Sequence, residues 1–241
     1  VYSDAKDWPR LIEIILRIAE MVNDAAQVAK YYTTAASIAH VELNRFDEAA
    51  NYYEQALSRC SPEGGQMQFE GLVQCLTENQ DWDRLERAYE VRADRLRTAH
   101  AEPKSIAAVL DARGAVLQHK LGRLVDGLQW FEEALELDPG DTNRREMLAA
   151  IYTKEPKRFF REAVRSHRYY LGSDPYRVES MRALRKIYTS AKKPDESWCV
   201  CQALRVLNMA DPEEEGFYKK YRLNKLAKAK QGMTEEIWRD L

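Results

Sequence analysis

The residues that could do chemistry are few and badly placed for it. Cys199 and Cys201 form a C-x-C. On a helix two such positions point about 200° apart, so they cannot jointly grip one metal ion. They read as small apolar residues of a packed helix. His40, His100, His119 and His167 lie far apart, and none stands at ligand spacing from a cysteine or aspartate. Gly64-Gly65 lacks the lysine and the strand context of a phosphate loop, and no serine-hydrolase elbow, zinc-protease helix or dinucleotide fingerprint is present. No catalytic residue, metal or cofactor is therefore expected. Charge says more. From Thr142 to Lys193 there are fourteen Lys or Arg against five Asp or Glu, whereas from Val1 to Lys120 there are fourteen against nineteen. A chain with a net charge of only -2 is thus polarised along its length.

The elements that carry these charges are helical. Ala107 to Leu121 has apolar or small residues at Val109, Leu110, Ala112, Ala115, Val116 and Leu117, a helical and not an alternating pattern. Gly122 breaks it. A second amphipathic run follows from Leu124 to Leu137, with Val125, Leu128, Phe131, Ala134 and Leu135 as its core stripe. Asp138-Pro139-Gly140-Asp141 stops that run, because proline cannot donate to the helical ladder and restricts the residue before it. The unit is a helical hairpin of about 34 residues, and one hairpin cannot bury its apolar faces without neighbours of the same kind.

Ala115, Gly122, Gly127, Phe131, Ala134 and Pro139 make this hairpin resemble a tetratricopeptide repeat. Asp111 and Gln118 stand where that family has an aromatic and a tyrosine. Phe46, Ala49, Tyr53 and Ala56 match the same positions in a second hairpin, and Leu85, Tyr89 and Arg92 match them loosely in a third. The resemblance implies an all-α fold, a right-handed α-α superhelix of hairpins with no β-sheet. Five repeats are expected over 30–65, 66–107, 108–141, 142–177 and 178–212. Residues 4–29 would supply the second helix of a leading partial repeat and 213–241 a trailing partial repeat, making 1–241 one solenoid. The recurrence of Asp7-Trp8 in Asp81-Trp82 places Trp8 at the start of a second helix, as Pro9 also suits. Proline intervals agree: Pro139, Pro175 and Pro212 are each about one repeat apart. The C-terminal third, with WCVCQAL from Trp198, resembles segments of large multi-repeat proteins of myxobacteria and relatives, a bacterial setting.

In this family the first helices line a concave groove, and the resemblance implies which residues face it. They are Tyr31, Thr34, Ile38 and Val41; then Met67, Glu70, Gln74 and Thr77; then Val109, Ala112, Val116, His119 and Lys120. Asn143, Glu146, Ala150 and Lys154 follow, then Glu179, Arg182, Lys186 and Thr189. Arg182 and Lys186, one turn apart, would offer two donors to a carboxylate. Lys157, Arg158, Arg161, Arg165 and Arg168 fall on a turn and a second helix and should face outward.

These readings bound the function. A chain 45% hydrophobic and 32% charged with 10 Gly and 8 Pro suits a helical array better than a β-sandwich. Its longest apolar segment, Leu11 to Val22, is interrupted by Glu13, Arg17 and Glu20 and falls short of the roughly 20 residues a membrane span needs. Four cysteines make no disulfide framework in a chain of this size, and the start has neither the basic region nor the cleavage site of a signal peptide. A cytoplasmic fragment of a longer protein is expected. Its function is expected to be that of a protein-interaction scaffold holding a partner's peptide or helix, acidic where it meets residues 142–193. The competing readings are a helical-repeat RNA binder, prompted by Phe159, Phe160, Tyr169, Tyr170 and Tyr176 among the cations, and the non-catalytic arm of a larger enzyme. Against RNA, those tyrosines stand at family packing positions.

Overall fold

The computed structural model describes residues 7–221, in which there are twelve α-helices and no strand. They fall into two compact units that divide between Asp141 and Thr142. The first holds α1 (Trp8–Met21), α2 (Ala25–Val41), α3 (Phe46–Arg59), α4 (Gln66–Glu78), α5 (Trp82–Thr98), α6 (Pro103–His119) and α7 (Leu124–Leu137). The second holds α8 (Thr142–Lys154), α9 (Phe160–Ser173), α10 (Val178–Ser190), α11 (Pro194–Val206) and α12 (Pro212–Tyr221). Within each unit every helix packs on the next one in the chain.

Local chemistry sets the helix starts. Asp7, Asp24 and Asp81 are N-caps whose carboxylates accept from the backbone N–H groups of Arg10, Ala26 and Arg84. The repeated Asp-Trp is therefore a cap followed by the first helical residue. Pro9, Pro103 and Pro194 each sit in a first turn, where the missing N–H costs nothing. Helix ends use a second device. Asn44, Gln80, His100, Lys192 and Asn208 adopt left-handed backbone with φ of 53–57°, as does Gly122 at 66°. The residue after each donates back to an otherwise orphaned carbonyl, as Asp81 does to Leu76 and Lys193 to Tyr188.

Two of these boundaries differ from the sequence reading. Helix α2 begins at Ala25 and not near Lys30, because Asp24 caps it. Helix α6 begins at Pro103, so the expected repeat boundary after residue 107 falls inside it. Pro103 starts a helix there. The turn expected at Gln231-Gly232 and the helix after it lie outside the described residues.

Small residues make the first unit's core. Ala35, Ala36, Ala39, Ala49, Ala50 and Ala56 are fully buried and let α2 and α3 approach closely, with Tyr53, Leu72, Cys75 and Leu76 filling the space toward α4. Ala93, Leu96, Ile106, Ala107, Leu110 and Ala134 form a second cluster through α5, α6 and α7. Burying one Leu or Ile side chain stabilises by roughly 1.5–3 kcal/mol. The α6–α7 crossing is tightest at Gly114 and Gly127, where a β-carbon on Gly127 would lie 2.8 Å from the Gly114 carbonyl oxygen. The small residue expected at this crossing was Ala115; the one that meets Gly127 is Gly114, one position earlier in α6. Val125, expected in the core stripe of α7, is 40% exposed. In the second unit Leu148, Ala149, Ala163, Tyr170, Leu184, Ile187, Cys201 and Leu204 are buried. Cys199 is exposed whereas Cys201 is fully buried, so only one of the pair is a packed residue.

Candidate partner-binding surface

The first unit builds one face from α2 and α4. Gln68 Nε2 of α4 donates to Thr33 Oγ1 of α2 at 3.0 Å, and His40 Nε2 meets Glu78 Oε2 at 2.9 Å. The pairing runs 33 to 40 against 68 to 78, so the two helices lie side by side and point the same way. In an α-helix each residue turns about 100° from the last. Thr34 and Val41 come one residue after the seam positions of α2, and Met67 and Thr77 one residue before those of α4. For parallel neighbours, opposite senses of rotation lead to the same side. Thr34, Val41, Met67, Glu70, Gln74 and Thr77 are exposed there, and Tyr31 and Ile38 are half-buried. Val41 is 66% and Met67 63% exposed, and methionine is a residue type enriched at protein interfaces. Gln74 donates to Glu78 at 3.0 Å and Gln66 to Glu70 at 2.7 Å, which orients the polar groups between them.

The second unit gathers a different set. Glu146, Ala150 and Lys154 of α8 line one cleft of about 420 Å³ with Thr153, His167, Tyr170 and Arg177. Arg177 Nη2 donates to Glu146 at 3.2 Å and its guanidinium stacks 4.3 Å above the Tyr170 ring. The Tyr170 hydroxyl is buried without a hydrogen-bond partner. His167 is bridged between Thr153 Oγ1 at 2.9 Å and Ser180 Oγ at 3.3 Å. Burial, with the nearby Arg177 charge, holds its imidazole below the usual value. Asn143 is exposed at the start of the same helix. Glu179, Arg182, Lys186 and Thr189 are all exposed on α10.

Several expected groove residues serve other purposes. Val116 belongs to the apolar core around α2, α3 and α4, and Val109 packs against the second cluster through α5, α6 and α7. Ala112 is half-buried. His119 and Lys120 are exposed at the helix end, and the Lys120 ammonium sits 4.6 Å above the Trp82 ring. Arg182 is not a free donor: its Nε donates to Glu214 at 3.2 Å and one Nη to the Met209 carbonyl at 2.9 Å. Glu214, almost wholly buried, also accepts from the Asp211 N–H at 2.7 Å. The pair of donors imagined on Arg182 and Lys186 is therefore reduced to Lys186. Tyr169 and Tyr176 do not occupy packing positions; they are 51% and 71% exposed, while Tyr170 is buried. Arg161, Arg165 and Arg168 are exposed on one side of α9, next to exposed Lys157 and Arg158.

Sequence reasoning missed the buried arginines. Arg113 is 6% exposed, donates to Glu86 at 2.7 Å and Glu90 at 2.8 Å, and lies 3.9 Å above the Trp130 ring. Arg84 ties α5 to α3 through Asp47, Asn51 and Glu54. Among the described residues no group of three or more His, Cys, Asp or Glu is placed to hold a metal ion, and no helix is long and apolar enough to cross a membrane.

The α2–α3 hairpin, with its alanine-lined crossing and the exposed face beside it, is the part that comparison with known families picks out. Residues 29–61 match the tetratricopeptide repeat. The matched repeat thus runs from inside α2 to just past α3, and it contributes Tyr31, Thr34 and Val41 to the face described above. No curated protein matches the chain. Among solved structures, YrrB, described as a tetratricopeptide repeat protein with an unusual peptide-binding site, is 18% identical over 87% of this chain and 99% of its own, with a TM-score of 0.44. The N-terminal domain of stress-induced protein-1 from C. elegans is 18% identical over 53% of this chain and 96% of its own, at 0.43. MamA is 14% identical over 83% and 98%, at 0.41. Likenesses this distant carry no information about partner or mechanism.

Proposed function

We propose that the chain is a protein-interaction scaffold, and that the α2–α4 face of the first unit holds a peptide or helix of a partner protein. The observation that supports this reading most is the pair of parallel first helices turning Thr34 and Val41 to the same side as Met67, Gln74 and Thr77. Two exposed apolar side chains framed by oriented amide and carboxylate groups give both anchorage and register. In the second unit the strip of Arg161, Arg165 and Arg168, with Lys186 on α10, supports an acidic partner segment. Peptides selected from a random display library against the whole chain test the face. The double substitution Val41→Glu with Met67→Glu should weaken their binding at least tenfold and leave the far-UV circular dichroism unchanged. Undiminished affinity in the folded double variant refutes the assignment.

The exposure of Tyr169, on the same helix as these arginines, and of Tyr176 favours a second reading, in which the second unit binds RNA. Filter binding of a single-stranded RNA at increasing salt separates the two. A steep loss of affinity with salt supports RNA, and no saturable binding at low salt removes it.

A further inference from the structure

A cavity of about 370 Å³ opens between α3, α4 and α5, its charged lining being Glu54, Arg84, Arg87, Arg92 and Arg95. Its apolar wall is Leu57, Phe69, Leu72, Ala88 and Val91, and Val91 is 53% exposed at the mouth. None of the α2–α4 face residues lines it, so it stands independently of the peptide-binding reading.

The charges around it do not balance. Glu54 is the one carboxylate in the lining, and both its oxygens are taken by Arg84 at 2.8 and 2.9 Å. That leaves three guanidinium groups. Arg92, only 5% exposed, donates to the Gly64 carbonyl at 2.8 Å and to the Gln66 amide oxygen at 3.0 Å. Arg95 donates to the carbonyls of Leu57, Cys60 and Ser61, and its Nε is buried with no acceptor. Arg87 is exposed on the same side of α5. Every acceptor that Arg92 and Arg95 find is neutral. A charge withdrawn from water without a counter-ion is costly, and a carboxylate brought to it makes short, strong hydrogen bonds. Burial and the neighbouring Arg95 charge already hold the Arg92 guanidinium below its ordinary value.

We infer that this cavity binds a small hydrophobic monocarboxylate, an aromatic or branched aliphatic body with one carboxylate. The body fills the space over Phe69, Leu72 and Ala88, and the carboxylate takes the donors of exposed Arg87 and offsets the charges of Arg92 and Arg95 beside it. A cavity of this size, apolar with a few convergent polar groups, suits such a ligand. A neutral ligand of the same shape leaves the arginine charges uncompensated and gains only the apolar part.

The test is a titration of the whole chain with phenylbutyrate, and with its neutral amide, followed by amide chemical shifts. Saturable shifts confined to α3, α4 and α5, at least tenfold weaker for the amide, are expected. Ala88→Phe fills the cavity and should abolish them. Arg87→Gln, on an exposed side chain that leaves folding intact, should weaken acid binding several-fold and amide binding hardly at all. Equal binding of acid and amide, shifts centred elsewhere, no saturation at millimolar concentration, or acid binding unaffected by Arg87→Gln would each overturn the inference.

Discussion

Gly127→Ala tests the packing that makes α6 and α7 a hairpin. Replacing glycine by alanine inside a helix stabilises by about 1 kcal/mol when the new methyl meets open space. Here the methyl would lie 2.8 Å from the Gly114 carbonyl oxygen and 3.4 Å from the Leu117 β-carbon. The nearer obstacle is main chain and cannot swing aside, so the helices must separate by several tenths of an ångström and loosen Phe131 and Leu117. Overpacking of this sort costs about 1–3 kcal/mol, and a backbone obstacle argues for the upper end. The net effect should be a loss of roughly 1–2 kcal/mol after the propensity gain is set against it. Gly172 on α9 is the control, because nothing lies within 4 Å of the position its methyl would take. Gly172→Ala, one residue from the end of α9, should stabilise by about 0.5 kcal/mol, less than at a mid-helix site. Urea titrations followed by circular dichroism compare the midpoints. A Gly127→Ala midpoint at or above that of the unsubstituted chain refutes the close crossing.

Further predictions concern the buried polar groups and thiols. Arg113→Ala strands Glu86, whose side chain is only 17% exposed, and should cost about 3 kcal/mol in the same titration; a loss under about 0.5 kcal/mol would contradict the buried pairing. The folded His167 imidazole lies below its ordinary value of 6.5, so the unfolded chain binds the proton more readily. Its stabilisation is therefore complete above about pH 6.5 and is lost as pH falls below that value toward the folded pKa. His167→Gln should flatten the fall in urea midpoint between neutral and mildly acid pH, and an unaltered slope would refute this. Burial pushes the Cys75 and Cys201 thiols up to about 11, and both are fully covered. Ellman's reagent at mildly alkaline pH should label exposed Cys199 in the folded chain and reach Cys75 and Cys201 only in denaturant.

What the sequence makes legible is set by where its signals are unambiguous. The run from Leu124 to Leu137 coincides with α7, because Gly122 and Asp138-Pro139 bracket it. Helix ends at Gln80, His100 and Lys192 carry no such mark: each turns left-handed because the following residue's N–H caps an orphaned carbonyl, not because of its type. Pro103 reads equally as a stop or a start, which hid the first turn of α6. Ala115 and Gly114 are both small, so only the packed hairpin shows that Gly114 is the one that meets Gly127. Arg92, Arg113 and Arg185 look like solvated charges by type; their burial depends on carboxylates, carbonyls and rings from other helices. The environment implied by the repeat resemblance was legible for Thr34, Val41, Met67, Glu70 and Gln74, all of them exposed. It was not legible for Arg182, whose partner Glu214 lies two helices onward.

A hydrogen-exchange footprint of the whole chain, with and without a bound library-selected peptide, measures the central claim directly. Slowed exchange centred on α2 and α4, lost with the Val41→Glu and Met67→Glu pair, is the predicted result. Slowed exchange confined to α3 and α5, with α2 and α4 unchanged, would contradict it.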